Sequence, residues 1–355
     1  MSELVYFKAY AAGGYHSLFL DCEGSVWSCG NNEMGQLGVG DNINRKQPSK
    51  ITNLPPIRSI HPGFFSSYFI DESGGAWQMG KGSSSSPELI ENIPPIEQIA
   101  SGQYHTILLD CDGFLWGTGS NRDCELGVPN RCNVEYWRKL DDHIPNVKSV
   151  QVGYLRSLFL DHDGMVWGFG NAKPGITKFE VPVIKQISMW QHHALLLDEE
   201  GLVWGLGDNK SAQLGERVHD SSCYSSNRYV YHHTAIQIEN LPKIKRVCAG
   251  EYNSLFLDED GGVWGRGYNG EGQLGLGDDR DRERTPVRIN ARIKFQEIHT
   301  GAYFTTLVDG DGSFWGCGSL TAGVVGVKHL PTKITSFPCM FPISRTMRTK
   351  SARKT

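Results

Sequence analysis

Short apolar segments recur along the chain, and each ends at an aspartate that is followed three residues later by glycine. In one example, residues 254–257 (Ser-Leu-Phe-Leu) lead into Asp258 and Gly261, and a second segment with Val263 and Trp264 follows. Aspartate favours the first position of a type I turn, and glycine supplies the positive φ after it. β-Branched and aromatic residues favour strands. The pattern therefore predicts β-hairpins.

The hairpin pattern D-x-x-G-x-x-W-x-x-G occurs seven times and holds seven of the nine tryptophans in one register. Its aspartates are Asp21, Asp71, Asp110, Asp161, Asp198, Asp258 and Asp309. A carboxylate repeated in this way is interpreted as a turn former, against the alternative of an acid/base or metal carboxylate. A fixed repeat must be recognised first, because it decides the architecture.

Further segments extend each hairpin. Four copies continue into N-x-x-x-[QE]-L-G, at residues 32–38, 121–127, 209–215 and 269–275, whereas copies two, four and seven lack it. Proline-marked entries such as residues 54–60 and 241–247 begin another apolar segment. About four strands per unit predict an all-β, seven-bladed β-propeller over residues 1–340.

The two ends of the repeat array are expected to meet. The chain begins inside a repeat, at residues 3–13, and finishes its last one at residues 331–334. We expect segments from both termini to share one blade, since this removes the open edge of a ring. Residues 341–355 form a basic tail, expected to be disordered, with a nuclear-import or nucleic-acid arm as the alternative.

Composition narrows the classes of partner. The 355 residues carry a net charge of −4, so no overall positive charge favours nucleic acid or an anionic membrane. Nine cysteines, odd in number and without a C-x-x-C pair, favour a reducing intracellular location, cytoplasmic or nuclear. No apolar run reaches the ~18 residues of a membrane span.

Residues 15–41 and 252–278 resemble repeats of the regulator of chromosome condensation family. The resemblance runs from about residue 3 to residue 335 and implies the seven-bladed fold. WD40 and kelch repeats do not place Asp, Gly, Trp and Gly at this spacing. Similar proteins include a guanine-nucleotide exchange factor for the small GTPase Ran and a plant ultraviolet receptor. The stretches equivalent to the receptor's Gly-Trp-Arg-His-Thr, such as Gly-Gln-Tyr-His-Thr at residues 102–106, have no tryptophan in the required place, so photoreception is rejected.

Candidate binding residues lie where the copies differ. The residue six before each aspartate follows the inter-blade entry, so these side chains are expected on one face of the ring. With two neighbours one position earlier, they give Tyr15, Phe64, Phe65, Tyr104, Tyr154, His192, Tyr252 and Tyr303. Exposed aromatics are typical of protein-contact hot spots. The alternative is that the rings only pack at the blade bases.

Other candidates are histidines and the longest connection. His16, His105 and His193 stand five before their aspartates, and they would bind a metal only by converging on the channel, so strand-end structural roles are favoured. Residues 216–233 contain a weak zinc set, namely His219, Cys223, His232 and His233. Tyr224 and Arg228 in this connection suit a partner surface instead.

No nucleophile–base pair or phosphate-binding loop is found in the sequence. The sequence therefore predicts a protein-interaction or regulatory module without cofactor or metal. The alternative is guanine-nucleotide exchange on a Ran-type GTPase, which takes no covalent chemistry.

Overall fold

The computed structural model describes residues 7–140, 146–215, 231–277, 280–289, 292–318 and 331–333. Within these ranges, 28 strands form seven four-stranded antiparallel sheets. We number the sheets as blades 1 to 7 in chain order. The segments containing Tyr224, Arg228, His219 and Cys223, and the tail 341–355, lie outside the described residues.

Each blade takes four consecutive strands from the chain. Blades 1 to 3 contain β1 (Phe7–Ala12), β2 (His16–Asp21), β3 (Val26–Gly30), β4 (Arg45–Lys50), β5 (Ile57–Pro62), β6 (Ser66–Asp71), β7 (Ala76–Gly80), β8 (Glu88–Leu89), β9 (Ile96–Ser101), β10 (His105–Asp110), β11 (Leu115–Gly119) and β12 (Val134–Lys139). Blades 4 and 5 contain β13 (Val147–Val152), β14 (Arg156–Asp161), β15 (Val166–Gly170), β16 (Lys173–Lys178), β17 (Ile184–Met189), β18 (His193–Asp198), β19 (Val203–Asp208) and β20 (Tyr231–Gln237). Blades 6 and 7 contain β21 (Ile244–Ala249), β22 (Asn253–Asp258), β23 (Val263–Tyr268), β24 (Arg282–Arg288), β25 (Phe295–Thr300), β26 (Phe304–Asp309), β27 (Phe314–Gly318) and β28 (Thr332–Lys333).

The blades form a closed ring. The first strand of every blade contacts the first strand of the next, and β1 contacts β25 to complete the circle. First strands therefore line the centre and fourth strands form the rim. The predicted seven-bladed β-propeller is confirmed.

Closure by a shared blade is not confirmed. In the described residues, no sheet combines strands from the two ends of the chain. Blades 1 and 7 meet through side chains instead: the ring of Tyr10 lies 6.3 Å from that of Phe314 and 6.4 Å from that of His299. The first blade already has its inner strand, β1, so it needs no strand from the other terminus to complete it.

The repeated aspartate braces its own hairpin. Oδ1 of Asp258 accepts the Gly262 amide at 2.6 Å, and Oδ2 accepts the Trp264 indole N–H at 2.9 Å. The indole bond recurs in all seven blades, at 2.8 to 3.1 Å. Asp and Trp six residues apart are thus one structural unit.

The N-x-x-x-[QE]-L-G segment forms a compact turn. In the first copy, Oδ1 of Asn32 accepts the Leu37 amide at 2.8 Å, and the same bond recurs in the other three copies. The leucine then enters the core: Leu37 is fully buried. A blade without this segment therefore lacks both the turn and the buried leucine.

The core lies between blades. One cluster joins Leu18 and Val26 of blade 1 to Ile57 and Phe69 of blade 2, and other clusters join later neighbours. Burial of such side chains stabilises the fold by about 1.5–3 kcal/mol each. Neighbouring blades therefore share one apolar core at each boundary.

The ring has two different ends. At the loop face, the connections between third and fourth strands lie beside the loops between first and second strands, as when the Ser120 amide donates to the Tyr104 carbonyl at 2.8 Å. At the turn face, the Asp-Gly turns meet the blade linkers, as when the Ile57 amide donates to the Gly24 carbonyl at 2.8 Å.

Candidate functional site

Aromatic side chains of blades 1 and 2 begin a continuous arc on the loop face. The Tyr15 ring lies 5.1 Å from that of Phe64 and 6.4 Å from that of Phe65. Tyr15 is 37% exposed, whereas Phe64 is only 6% exposed. Phe64 therefore supports the surface from below, which is the packing role considered as the alternative, while Tyr15 faces solvent.

A lysine bridges blades 2 and 3. The ammonium of Lys81 lies 5.3 Å from the ring centroid of Phe65 and 5.0 Å from that of Tyr104. Tyr104 is 42% exposed. A cation over an aromatic face is attracted by the ring quadrupole, so the two rings hold this charge on the loop face.

The arc continues through blades 3 to 6. Ring centroids are 5.4 Å apart for Tyr104 and Tyr154, 5.4 Å for Tyr154 and His192, and 5.8 Å for His192 and Tyr252. In blade 4 the residue six before the aspartate is Leu155, and its neighbour Tyr154 supplies the ring instead. Four consecutive blades thus present one aromatic surface.

A carboxylate stands where the arc returns to blade 1. Glu251 is 8% exposed, and its buried Oε2 has no hydrogen-bond partner. Burial raises the pKa of Glu251. Burial first, and then the charge of Glu251, raise the pKa values of Tyr15, Tyr252 and Tyr303. The tyrosines of blades 1, 6 and 7 therefore share the field of one acid.

The structure brings eight of the ten predicted binding residues to one face; Tyr224 and Arg228 are outside the described ranges. The role of all ten residues in binding a partner stays a prediction. Sequence reasoning missed Lys81, because the copy-two segment that carries it departs from the repeat.

The three candidate histidines are structural links between blades. His105 Nε2 lies 2.9 Å from Ser157 Oγ in the next blade, and that hydroxyl donates to the Glu125 carbonyl at 2.7 Å. The same link joins His16 to Ser67 and His193 to Ser254. The three histidines therefore do not converge on one site. Burial lowers the pKa to about 4 for His16 and to about 3 for His105 and His193.

Blade 4 replaces this histidine with Arg156. Its guanidinium lies 5.4 Å from the ring of Phe179 and 5.8 Å from that of Tyr231, and it donates to the carboxamide oxygen of Asn171. Burial lowers the pKa of Arg156. The next blade carries Ala194 in place of the serine. The boundary between blades 4 and 5 thus has the contacts of Arg156 in place of the histidine–serine hydrogen bond.

The described residues contain neither a grouped set of metal ligands nor a membrane-spanning helix. In the ranges that the structure describes, no three His, Cys, Asp or Glu side chains are grouped to hold a metal ion. His232 and His233 lie on β20, where His232 Nε2 is 3.4 Å from Asn209 Nδ2. None of the seven described cysteines is in a disulfide. The same ranges contain no helix long and apolar enough to cross a membrane.

The fold and the repeat define a class, a seven-bladed propeller with a structural turn face and a variable loop face. The family model for the regulator of chromosome condensation (RCC1) repeat matches residues 23–69 and 260–308. A second model of this repeat matches residues 7–36, 96–123 and 244–273. The chain therefore carries RCC1 repeats, matched in blades 1 to 3, 6 and 7.

Named relatives match short stretches. The regulator of chromosome condensation of Xenopus laevis is 36% identical over 74 residues, which cover 20% of this chain and 18% of that protein. The secretion-regulating guanine nucleotide exchange factor of Bos taurus is 31% identical over 100 residues, covering 28% and 20%. The alignments therefore span about a fifth of each of these two relatives.

A solved structure matches most of the fold. Prp20p of Saccharomyces cerevisiae, described with its binding to Gsp1p and histones, superposes with a TM-score of 0.74. The identity is 21%, and the match covers 84% of this chain and 81% of Prp20p. This likeness establishes the fold.

Proposed function

We propose that the protein is a regulatory interaction module whose protein partner binds the loop face. The observation that carries the proposal is the aromatic arc, in which Tyr104, Tyr154, His192 and Tyr252 contact one another across four blades. Tyrosine is enriched at binding hot spots because it offers a large apolar area and a hydroxyl at low entropy loss.

The turn face is a poorer candidate. Its aspartates are engaged by backbone amides and indoles in the same way in every blade, so it varies little. The loop face varies at each blade, and specificity requires variation of this kind. The described ends of the long connection in blade 5, Gly215 and Tyr231, flank the segment that carries Tyr224 and Arg228, which we include in the partner surface.

The second candidate function is guanine-nucleotide exchange on a Ran-type small GTPase. It is favoured by a named relative that is a guanine nucleotide exchange factor and by the likeness to Prp20p, described with its binding to Gsp1p. Exchange needs a rigid surface that distorts the phosphate and magnesium site of the GTPase, and a closed propeller supplies rigidity. Within the proposal, the protein is intracellular, in cytoplasm or nucleus.

The proposal extends to the chain as a whole. We take residues 1–340 as one domain and residues 341–355 as a basic tail, with neither nucleic acid nor membrane as the main partner. The net charge of −4 supports this choice, because nucleic-acid affinity depends on neutralising phosphates.

The experiment is release of a fluorescent guanine nucleotide from a panel of purified small GTPases, with and without this protein. A binding module leaves every release rate unchanged. Acceleration confined to a Ran-type GTPase, abolished by Tyr104→Ala/Tyr252→Ala, would establish the second candidate and contradict a purely passive module.

A further inference from the structure

A groove opens between blades 2 and 3. Its volume is about 930 Å³, within the ~300–1,000 Å³ typical of ligand sites. It begins at Phe65 and Tyr104 on the loop face and extends outward to Tyr136 and Trp137 on β12, the rim strand of blade 3. The groove is therefore continuous with the aromatic arc.

The groove exists because copy two departs from the repeat. Between blades 1 and 2, His16 contacts Ser67, and the Ser67 hydroxyl donates to the Gln36 carbonyl. Blade 2 has Ser66 in place of the histidine, and residues 82–87 replace the N-x-x-x-[QE]-L-G segment with its buried leucine. Its rim strand β8 has only two residues. The volume that a histidine, a turn and a leucine fill in blades 1, 3 and 5 is left open.

Local contacts adapt to this loss. With no [QE] carbonyl in blade 2, Thr106 of blade 3 donates to the Tyr68 hydroxyl at 3.0 Å, and Ser101 lies 2.9 Å from Thr106. The Tyr68 ring packs edge-on against Trp137 at 6.5 Å. These contacts form an ordered floor of rings and hydroxyls.

The charges along the groove differ between its ends. Near the ring centre, the exposed ammonium of Lys81 rests on two aromatic rings. At the rim, the exposed Glu135 is a lining residue beside Tyr136. Arg122 and Asp123, of opposite charge, also line the groove, and the lining Glu125 is buried with its carboxylate accepting the Ser120 hydroxyl and the Asp123 amide. The lining also offers hydroxyls and amides, such as Thr118 and Gln78, that can pair with a peptide backbone.

We propose that this groove binds an extended peptide segment of the protein partner. An acidic side chain contacts Lys81, an apolar or aromatic side chain contacts Tyr68 and Trp137, and a basic side chain lies near Glu135. This order of charges, acidic toward the axis and basic toward the rim, follows from charge complementarity along the groove. The proposal rests on the proposed function, since it assigns part of the partner's chemistry.

The test uses a displayed library of random octapeptides selected on the purified full chain. The expected selection is an acidic residue separated by an apolar or aromatic residue from a basic one. Synthetic peptides with the selected sequence are then measured by fluorescence anisotropy. Lys81→Glu should weaken binding about tenfold or more, and replacing the peptide's acidic residue by lysine should restore it.

Matched controls separate the groove from the rest of the surface. Lys46→Glu changes another exposed lysine, on β4 outside the groove, and should alter affinity less than about twofold. Ser66→His introduces the histidine found at this position in blades 1, 3 and 5 and should reduce binding by occupying the groove. Thermal unfolding confirms that each variant is folded.

Two results would overturn the proposal. One is that the library yields no enriched sequence. The other is that the selected peptides bind Lys81→Glu and Ser66→His as tightly as the unchanged protein. Tyr252 lies outside the groove lining. Tyr252→Ala should therefore leave peptide affinity unchanged and weaken binding of the intact partner. If Tyr252→Ala retains the intact partner with unchanged affinity, only the loop-face function is contradicted. If Tyr252→Ala loses the partner while Lys81→Glu and Ser66→His bind the peptides as the unchanged protein does, only the groove is contradicted.

Discussion

His105 Nε2 and Ser157 Oγ lie 2.9 Å apart across the boundary between blades 3 and 4. Because the Ser157 hydroxyl donates to the Glu125 carbonyl, the histidine must donate through Nε2. Its buried Nδ1 has no hydrogen-bond partner, which favours the neutral ring with Nδ1 unprotonated. Burial accounts for this preference, since it lowers the pKa of His105 to about 3. The link couples the assembly of neighbouring blades to the charge state of one imidazole.

This coupling predicts a dependence of stability on pH. The unfolded histidine has a pKa of about 6.5, so between pH 6.5 and 3 the unfolded chain binds more protons and stability falls on acidification. From about pH 7.5 to about pH 5.5, His105 alone should reduce the free energy of unfolding by about 1.4 kcal/mol. His105→Asn should remove that share of the loss in urea unfolding. His162→Asn, at an exposed turn position, should behave as the unchanged protein, and an equal pH loss in His105→Asn would refute the assignment.

The hydrogen bonds that brace the hairpin predict that two aspartates of one turn contribute differently to the free energy of unfolding. Asp258→Ala leaves the Gly262 amide and the Trp264 indole without their acceptor, and should lower the free energy of unfolding by about 2–3 kcal/mol. Asp260→Ala changes an exposed carboxylate and should cost less than about 0.5 kcal/mol. Denaturant unfolding measures both, and equal effects would mean that the brace contributes nothing.

Ring closure predicts a role for Tyr10. Its ring packs on Phe19 of its own blade and on Phe314 of the last blade, so Tyr10→Ala should cost about 2 kcal/mol of unfolding free energy. Tyr136→Ala removes the same atoms from an exposed rim position and should be close to neutral. Unfolding that proceeds equally easily in both variants would be inconsistent with closure through side-chain packing.

The glycine nine residues after the repeated aspartate should tolerate substitution less well than a glycine outside the repeat pattern. Gly267 has φ 96°, and a methyl group there would meet the Tyr252 carbonyl oxygen and lie 2.9 Å from the Asn253 Cα. Gly267→Ala should therefore cost at least about 2 kcal/mol. At Gly310 the nearest atom is 3.7 Å away, so Gly310→Ala should be tolerated. Thermal unfolding of the pair tests this, and matching midpoints would count against it.

The architecture was predictable because every blade uses the same local chemistry. An aspartate, a glycine and a tryptophan at fixed spacing determine one braced hairpin, and seven copies leave little choice of closure. The shared terminal blade was not confirmed, since strand pairing at the ends depends on contacts between distant segments. Nothing in the repeat pattern identifies Tyr10 as a residue that closes the ring.

The candidate site was predictable only in part. The aromatic positions follow from the repeat, which places Tyr104 and Tyr252 at equivalent points of their blades. Contacts between blades, such as Lys81 over Tyr104, depend on how the copies differ, and the sequence gives no distance between them. The groove had one sequence signal, the missing segment in copy two.

The central claim is that the loop face binds the partner, and quantitative affinity capture with matched variants tests it most directly. The loop-face variant is Tyr104→Ala/Tyr252→Ala, and the control is Phe114→Ala/Leu202→Ala, which removes two exposed apolar side chains from the turn face. We predict that a partner retained by the unchanged protein is retained by the control and lost from the loop-face variant. Retention by the loop-face variant with loss from the control would contradict the account.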